Sequence, residues 1–129
     1  MIFVDTSVWV SALRNRDGTE AVHLSALLDR DEVALAAPVL VEILAGAARR
    51  DLPRVRRTFS ALPVFYPDAP AWERIDSWID RAVAAGQRFG FADLLIASMA
   101  AVRQRLLWSL DADFERMARL GFVETYRPR

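Results

Sequence analysis

The stretch IFVDTSVWV, residues 2–10, decides the fold. Ile2, Phe3 and Val4 form an apolar run of strand length, and Asp5 follows at once. Thr6 and Ser7 then offer hydroxyls that can cap the free N–H groups of a helix start. A strand at 2–5 that passes straight into a helix is the opening unit of a parallel sheet with helical connections. In such sheets clefts form beyond the carboxyl ends of the strands, so a carboxylate at this junction stands on the rim of a cleft.

The same alternation runs outward from this stretch. Residues 18–29 carry Ala21, Val22, Leu24, Leu27 and Leu28 at helical spacing, and VALAA (33–37) reads as a second strand. Pro38 opens the helix PVLVEILAGAA, an arginine-rich helix covers about 51–61, and LPVFY (62–66) reads as a third strand. After Pro70, Trp72, Ile75, Ile79, Ala82 and Val83 mark an amphipathic helix that stops near Gly86. FADLLIASMAAV (91–102) is apolar nearly all round, as suits an interior helix. LLWSL (106–110), the short helix ADFERMARL and FVETY (122–126) complete the order. Short apolar strands alternating with helices predict an α/β fold: a three-layer α/β/α sandwich around a five-stranded, mainly parallel sheet. With 129 residues, no internal repeat and no linker rich in Pro, Gly or Ser, the chain is expected to be a single domain, 1–129.

Composition removes several chemistries. The chain is 53% hydrophobic and 26% charged with zero formal net charge, so a nucleic-acid partner would have to be met by local clustering of charge. Without cysteine there is no disulfide, no thiolate nucleophile and no cysteine-bound zinc. All 17 basic residues are arginine, which excludes a Walker-type phosphate loop and the usual receiver-domain site, since both need a lysine. The N-terminus does not read as a signal peptide, and no apolar run reaches the roughly 18 residues of a membrane span, so a cytoplasmic location is expected.

Three further acids share the setting of Asp5. Glu42 interrupts PVLVEILAG, Asp93 interrupts GFADLLIASMA, and Asp111 follows LLWSL. Each has an ordinary reading: Asp111 as a helix cap, Glu42 on a solvated face, and Asp93 as a first-turn acid favoured by the helix dipole. Together, four carboxylates near strand ends or first helical turns would converge on one rim, and their mutual repulsion would call for a cation. Oxygen donors without His or Cys point to Mg²⁺ or Mn²⁺, one or two ions able to activate water against a phosphodiester. The hydroxyls of Thr6, Ser7 and Ser109 lie beside these acids and could orient ligands, or could serve only as caps and turn formers. His23, the single histidine, sits in an amphipathic helix and does not suggest acid–base chemistry.

DTSVW at 5–9, VEILAG around Glu42, FADLLIASMA around Asp93 and SLDADF at 109–114 together resemble the PIN domain, and within it the toxin ribonucleases of bacterial VapBC toxin–antitoxin pairs. The resemblance spans the chain in order. It implies that Asp5, Glu42, Asp93 and Asp111 are the catalytic metal-site acids. It also implies that Ser109 stands where the family commonly has threonine and that Asp113 is a possible fifth acid. The activity it implies is that of a Mg²⁺- or Mn²⁺-dependent endoribonuclease toxin cutting cellular RNA, often transfer or ribosomal RNA. Also implied are a cognate antitoxin, which often inserts an arginine among the carboxylates, and a homodimer.

Outside the acids, RRDLPRVRR (49–57) sets Arg49, Arg50, Arg54, Arg56 and Arg57 against Asp51 alone. This is either a solvated helix face or an RNA-binding surface whose guanidinium forks track phosphates. Helix 38–48 and the arginine-rich helix could form a groove for an antitoxin helix. Two other readings stand beside the ribonuclease: a nuclease acting on DNA or structured nucleic acid, and a non-catalytic nucleic-acid-binding module. A haloacid-type phosphatase is disfavoured because Ser7 occupies the place of its second Asp.

Overall fold

The computed structural model describes residues 1–129. Strand β1 (Ile2–Val4) runs into helix α1 (Thr6–Arg14), followed by α2 (Thr19–Asp29), β2 (Val33–Ala36) and α3 (Ala37–Gly46). A single 3₁₀ turn (Arg49–Asp51) leads into α4 (Leu52–Ser60), then β3 (Val64–Phe65), α5 (Ala69–Ala84), α6 (Phe91–Val102), β4 (Leu106–Trp108) and α7 (Ala112–Arg119). The four strands lie in the order β3-β2-β1-β4, and every pair is parallel. β1 is thus central: it pairs Phe3 with Ala34 on one side and with Leu107 on the other. All three of its residues are buried, as expected of a strand covered on both faces.

The expected fifth strand is reduced to one parallel bridge, Leu107 to Thr125. Leu107 donates its N–H to Glu124 (3.0 Å) and accepts from Tyr126 (2.8 Å), but the ladder goes no further. Two residues later Pro128 has no N–H to offer. The approach is fixed by Gly121 (φ +78°), which ends α7 with paired bonds from Gly121 N–H to Ala118 and from Phe122 N–H to Met117. The third strand is also shorter than 62–66, because only Val64 and Phe65 pair with β2.

The helices fall into two sets by packing. Trp9 of α1 meets Phe59 of α4 edge-on at 4.6 Å, while Trp78 of α5 stacks on Phe122 at 4.7 Å. Seven consecutive residues of α6, Leu94 to Ala100, are buried, and this helix touches α3, α5, α7 and β4. The chain steps from β1 to β2 to β3 in one direction, then crosses back to β4 on the other side of β1. The order therefore reverses between β1 and β4, and a crevice opens at such a reversal beyond the strand ends.

Candidate active site

Asp5 stands at the β1 edge of that crevice. Its N–H still donates to Trp108 on β4 (2.9 Å), and its side chain caps α1 by accepting from Ser7 N–H. The cap is thus Asp5 itself and not Thr6 or Ser7, since the helix starts directly after the strand. One carboxylate oxygen, Oδ2, accepts from Ser7 N–H (3.3 Å), Ser7 Oγ (2.8 Å) and Ser109 Oγ (2.8 Å). Each serine hydroxyl in turn accepts a backbone N–H from the β4–α7 turn: Leu110 onto Ser7 (3.0 Å) and Asp111 onto Ser109 (2.9 Å). This network ties the end of β1 to the end of β4. It also leaves Asp5 Oδ1 with no donor from the protein, although the residue is only 5% exposed.

Three of the other acids come from helix starts around the same crevice, and Glu42 comes from the middle of α3. Asp111 caps α7, accepting Asp113 N–H on Oδ1 at 2.9 Å. Asp93 lies in the first turn of α6. Carboxylate oxygens of Asp93, Asp111 and Asp113 all lie within 4.8 Å of one another. Glu42 reaches in from α3 and accepts the Thr6 hydroxyl (2.7 Å), which attaches it to the residue after Asp5. Burial pushes the Asp93 carboxyl up to about 6, and negative charge on Asp111, Asp5, Asp113 and Glu42 adds to the effect. All five carboxylates therefore act on one field.

This donor set suits a hard divalent cation. It consists of oxygens alone, with several carboxylates inside one coordination sphere's span and one Asp5 oxygen kept free. The raised Asp93 carboxyl records burial first and repulsion from its acidic neighbours second, and a bound cation would offset both. Chemically the arrangement can hold a cation next to a phosphate and position water against it.

Other predicted residues lie elsewhere. Arg49, Arg50, Arg54, Arg56 and Arg57 are exposed on the 3₁₀ turn and α4, and none pairs with a crevice acid. His23 packs beside Trp108 and bonds Tyr126 through Nε2 (2.6 Å), holding the C-terminal segment to α2. An apolar hollow on the arginine side lies between α1 and α4, lined by Ala12, Leu13, Val55 and Phe59. One contributor was missed: Arg116 pairs with Asp113 one helical turn away and donates to Gln87. Its i,i+3 spacing from Asp113 is a readable signal, but Gln87 is distant in sequence and carries none.

The fold and this acid-lined crevice define a nuclease-like α/β class, and the sequence matches the description "PIN domain" over residues 2–120. The chain belongs to the PIN-domain family. It is 32% identical over 125 residues to Ribonuclease VapC11 of Mycobacterium tuberculosis, covering 93% of each chain, and equally to a VapC ribonuclease of Mycobacterium bovis. In structure it is similar to VapBC2 of Rickettsia felis, solved bound to a promoter DNA fragment, with a TM-score of 0.83 at 19% identity and full coverage of both chains. VapC20 of M. tuberculosis, described as a sarcin-ricin loop-cleaving toxin, gives a TM-score of 0.65 at 25% identity over 99% of this chain and 100% of that one.

Proposed function

We propose that this protein is a metal-dependent endoribonuclease, the toxin of a VapBC-type toxin–antitoxin pair, acting as a single cytoplasmic domain. The observation that carries the reading is the crevice itself: Asp93, Asp111 and Asp113 gathered within 4.8 Å where the strand order reverses, Asp5 and Glu42 adding to the same field, and Asp5 held by two serines so that one oxygen stays free. The 32% identity to Ribonuclease VapC11 supports RNA as the substrate. A three-layer α/β/α arrangement is supported by the right-handed crossover rule, which sends the connections on the two sides of β1 to opposite faces.

In this reading Asp5, Glu42, Asp93 and Asp111 hold Mg²⁺ or Mn²⁺. When bound, the cation supplies a water of lowered pKa and offsets charge on the phosphodiester. The chain's own part is geometric. Ser7 and Ser109 fix the rotation of the Asp5 carboxylate, Thr6 anchors Glu42, and the Asp111 cap sets the start of α7. Arg49, Arg50, Arg54, Arg56 and Arg57 provide the phosphate-tracking surface, since guanidinium forks bind phosphate without reading sequence. The hollow between α1 and α4 suits the apolar face of an antitoxin helix, a reading supported by the VapBC complexes among the structural neighbours. Exposed Trp72, Ile79, Val83 and Phe91 supply an apolar face suited to a homodimer.

The test is direct. Purified, antitoxin-free protein is expected to cleave cellular RNA in Mg²⁺ or Mn²⁺, to stop on addition of EDTA, and to lose about a thousandfold in rate, some 4 kcal/mol, on Asp5→Asn. Matched DNA strands should remain intact. Cleavage of DNA alone would favour a DNA-directed nuclease, and no cleavage of a broad RNA panel would overturn the assignment.

A further inference from the structure

The crevice gathers like charge, yet the protein brings one cation of its own to it. Arg116, on α7, pairs with Asp113 Oδ1 one turn earlier. Its second guanidinium nitrogen donates to Gln87 Oε1, and the guanidinium lies over the Phe89 ring, 4.9 Å from the centroid. Gln87 is held in place by the end of α5: Gly86 adopts φ +71°, and Gln87 N–H closes back onto Ala82 at 2.8 Å. Phe89 and Gln87 both belong to the connection that leads into Asp93 on α6. The guanidinium therefore spans the two elements that carry Asp93, Asp111 and Asp113. No other crevice acid has an ionic partner in the protein.

We propose that Arg116 is the internal counter-cation of the acid cluster. Gln87 and Phe89 seat it on Asp113, and it sets how tightly the remaining carboxylates take up a divalent cation. The inference rests on the cation-binding reading of the crevice given above. Its physical basis is charge and shape. A fixed guanidinium lowers the local negative potential, and by engaging Asp113 it withholds one carboxylate oxygen from a competing cation. An arginine is needed because a planar fork can serve Asp113 and Gln87 at once while stacking on an aromatic ring, which a lysine ammonium does not do. Arg116 is thus a positioning residue that acts through Asp113.

The test is Mn²⁺ binding by calorimetry, with no RNA present, on the full chain and on Arg116→Gln, Arg116→Lys and Gln87→Met. Arg116→Gln is expected to bind Mn²⁺ about tenfold more tightly, the effect of one unit charge removed from the edge of the site. Arg116→Lys should fall in between, tightening binding about threefold, because it keeps the charge but loses the fork that Gln87 and Phe89 seat. Gln87→Met, which loosens the seat alone, should tighten binding about threefold, and it decides the matter if Arg116→Gln fails to fold. A merely structural role would leave the affinity unchanged or weaken it, and either result in the folded variants overturns the proposal. Absence of Mn²⁺ binding by the wild type would instead sink the cation reading of the crevice.

Discussion

The crevice and the arginine ridge at 49–57 are opposite ways of holding like charge. In the crevice the carboxylates are drawn together by the ends of β1 and β4 and by the starts of α6 and α7, with Asp5 almost fully buried. Burial there, with the field of the neighbouring acids added to it, lifts Asp93 to about 6. On the ridge five guanidinium groups point into water, and the only ionic pair, Arg54 with Asp51 at 3.7 Å, is solvated on both sides. Such a pair contributes at most about 1 kcal/mol. Clustering costs stability where water is excluded and almost nothing where it is not. The crevice acids therefore burden one another where the ridge arginines do not, and changes in the two regions should differ in size and kind.

The contrast is tested most sharply at Ser109. Its hydroxyl donates to Asp5 and accepts Asp111 N–H, so it links both acid-bearing strand ends. Ser109→Ala should lower kcat for RNA cleavage by about 10–100-fold, the usual size of effect for a residue that orients a ligand. Ser109→Thr, which keeps the hydroxyl, should restore most of the activity. An alanine variant as active as wild type would mean that Asp5 needs no such support.

A smaller effect, of another kind, is expected on the ridge. Replacing Arg54, Arg56 and Arg57 with alanine should raise KM for RNA several-fold and leave kcat unchanged, because phosphate contacts position the strand without entering the reaction. The slope of log affinity against log salt should fall by about 0.7 for each phosphate of a single strand that is no longer neutralised. A loss confined to kcat would place the ridge inside the chemistry and erase the distinction between the two regions.

What the sequence discloses obeys the same division. β1, β2 and α6 are legible because burial on all sides leaves near-continuous apolar runs, and acids that interrupt those runs stand out at their junctions. Elements with little pairing are harder to read. Residues 122–126 are apolar enough for a strand, yet they make a single bridge, since pairing there depends on where Gly121 and Pro128 steer the backbone. Side-chain links across the sequence are invisible for a related reason. Ser7 and Ser109 meet on one Asp5 oxygen although they lie far apart along the chain, and Gln87 meets Arg116 only because α5 ends in a left-handed turn. Local pattern reports burial, whereas convergence depends on topology.

The cost of holding a carboxylate in the crevice, by burial first and by its acidic neighbours second, is measurable at Asp93. Its folded-state carboxyl titrates near 6, above the ordinary value, so the stability it contributes is fully present below about pH 4 and is lost as pH rises through 6. The lift would correspond to about 3 kcal/mol if undiluted. Solvent screening at a half-exposed carboxylate cuts this to about 1 kcal/mol. Asp93→Asn removes the charge, and with it the penalty. In EDTA at pH 8 this variant should melt about 3–5 °C above wild type, and the two should converge near pH 4. Adding Mn²⁺ should reverse the order, because only the wild type keeps the carboxylate that a cation rewards. A variant that melts no higher than wild type at pH 8 without metal would mean that neither burial nor the neighbouring acids burden Asp93, and the crevice would then resemble the ridge in being charged without strain.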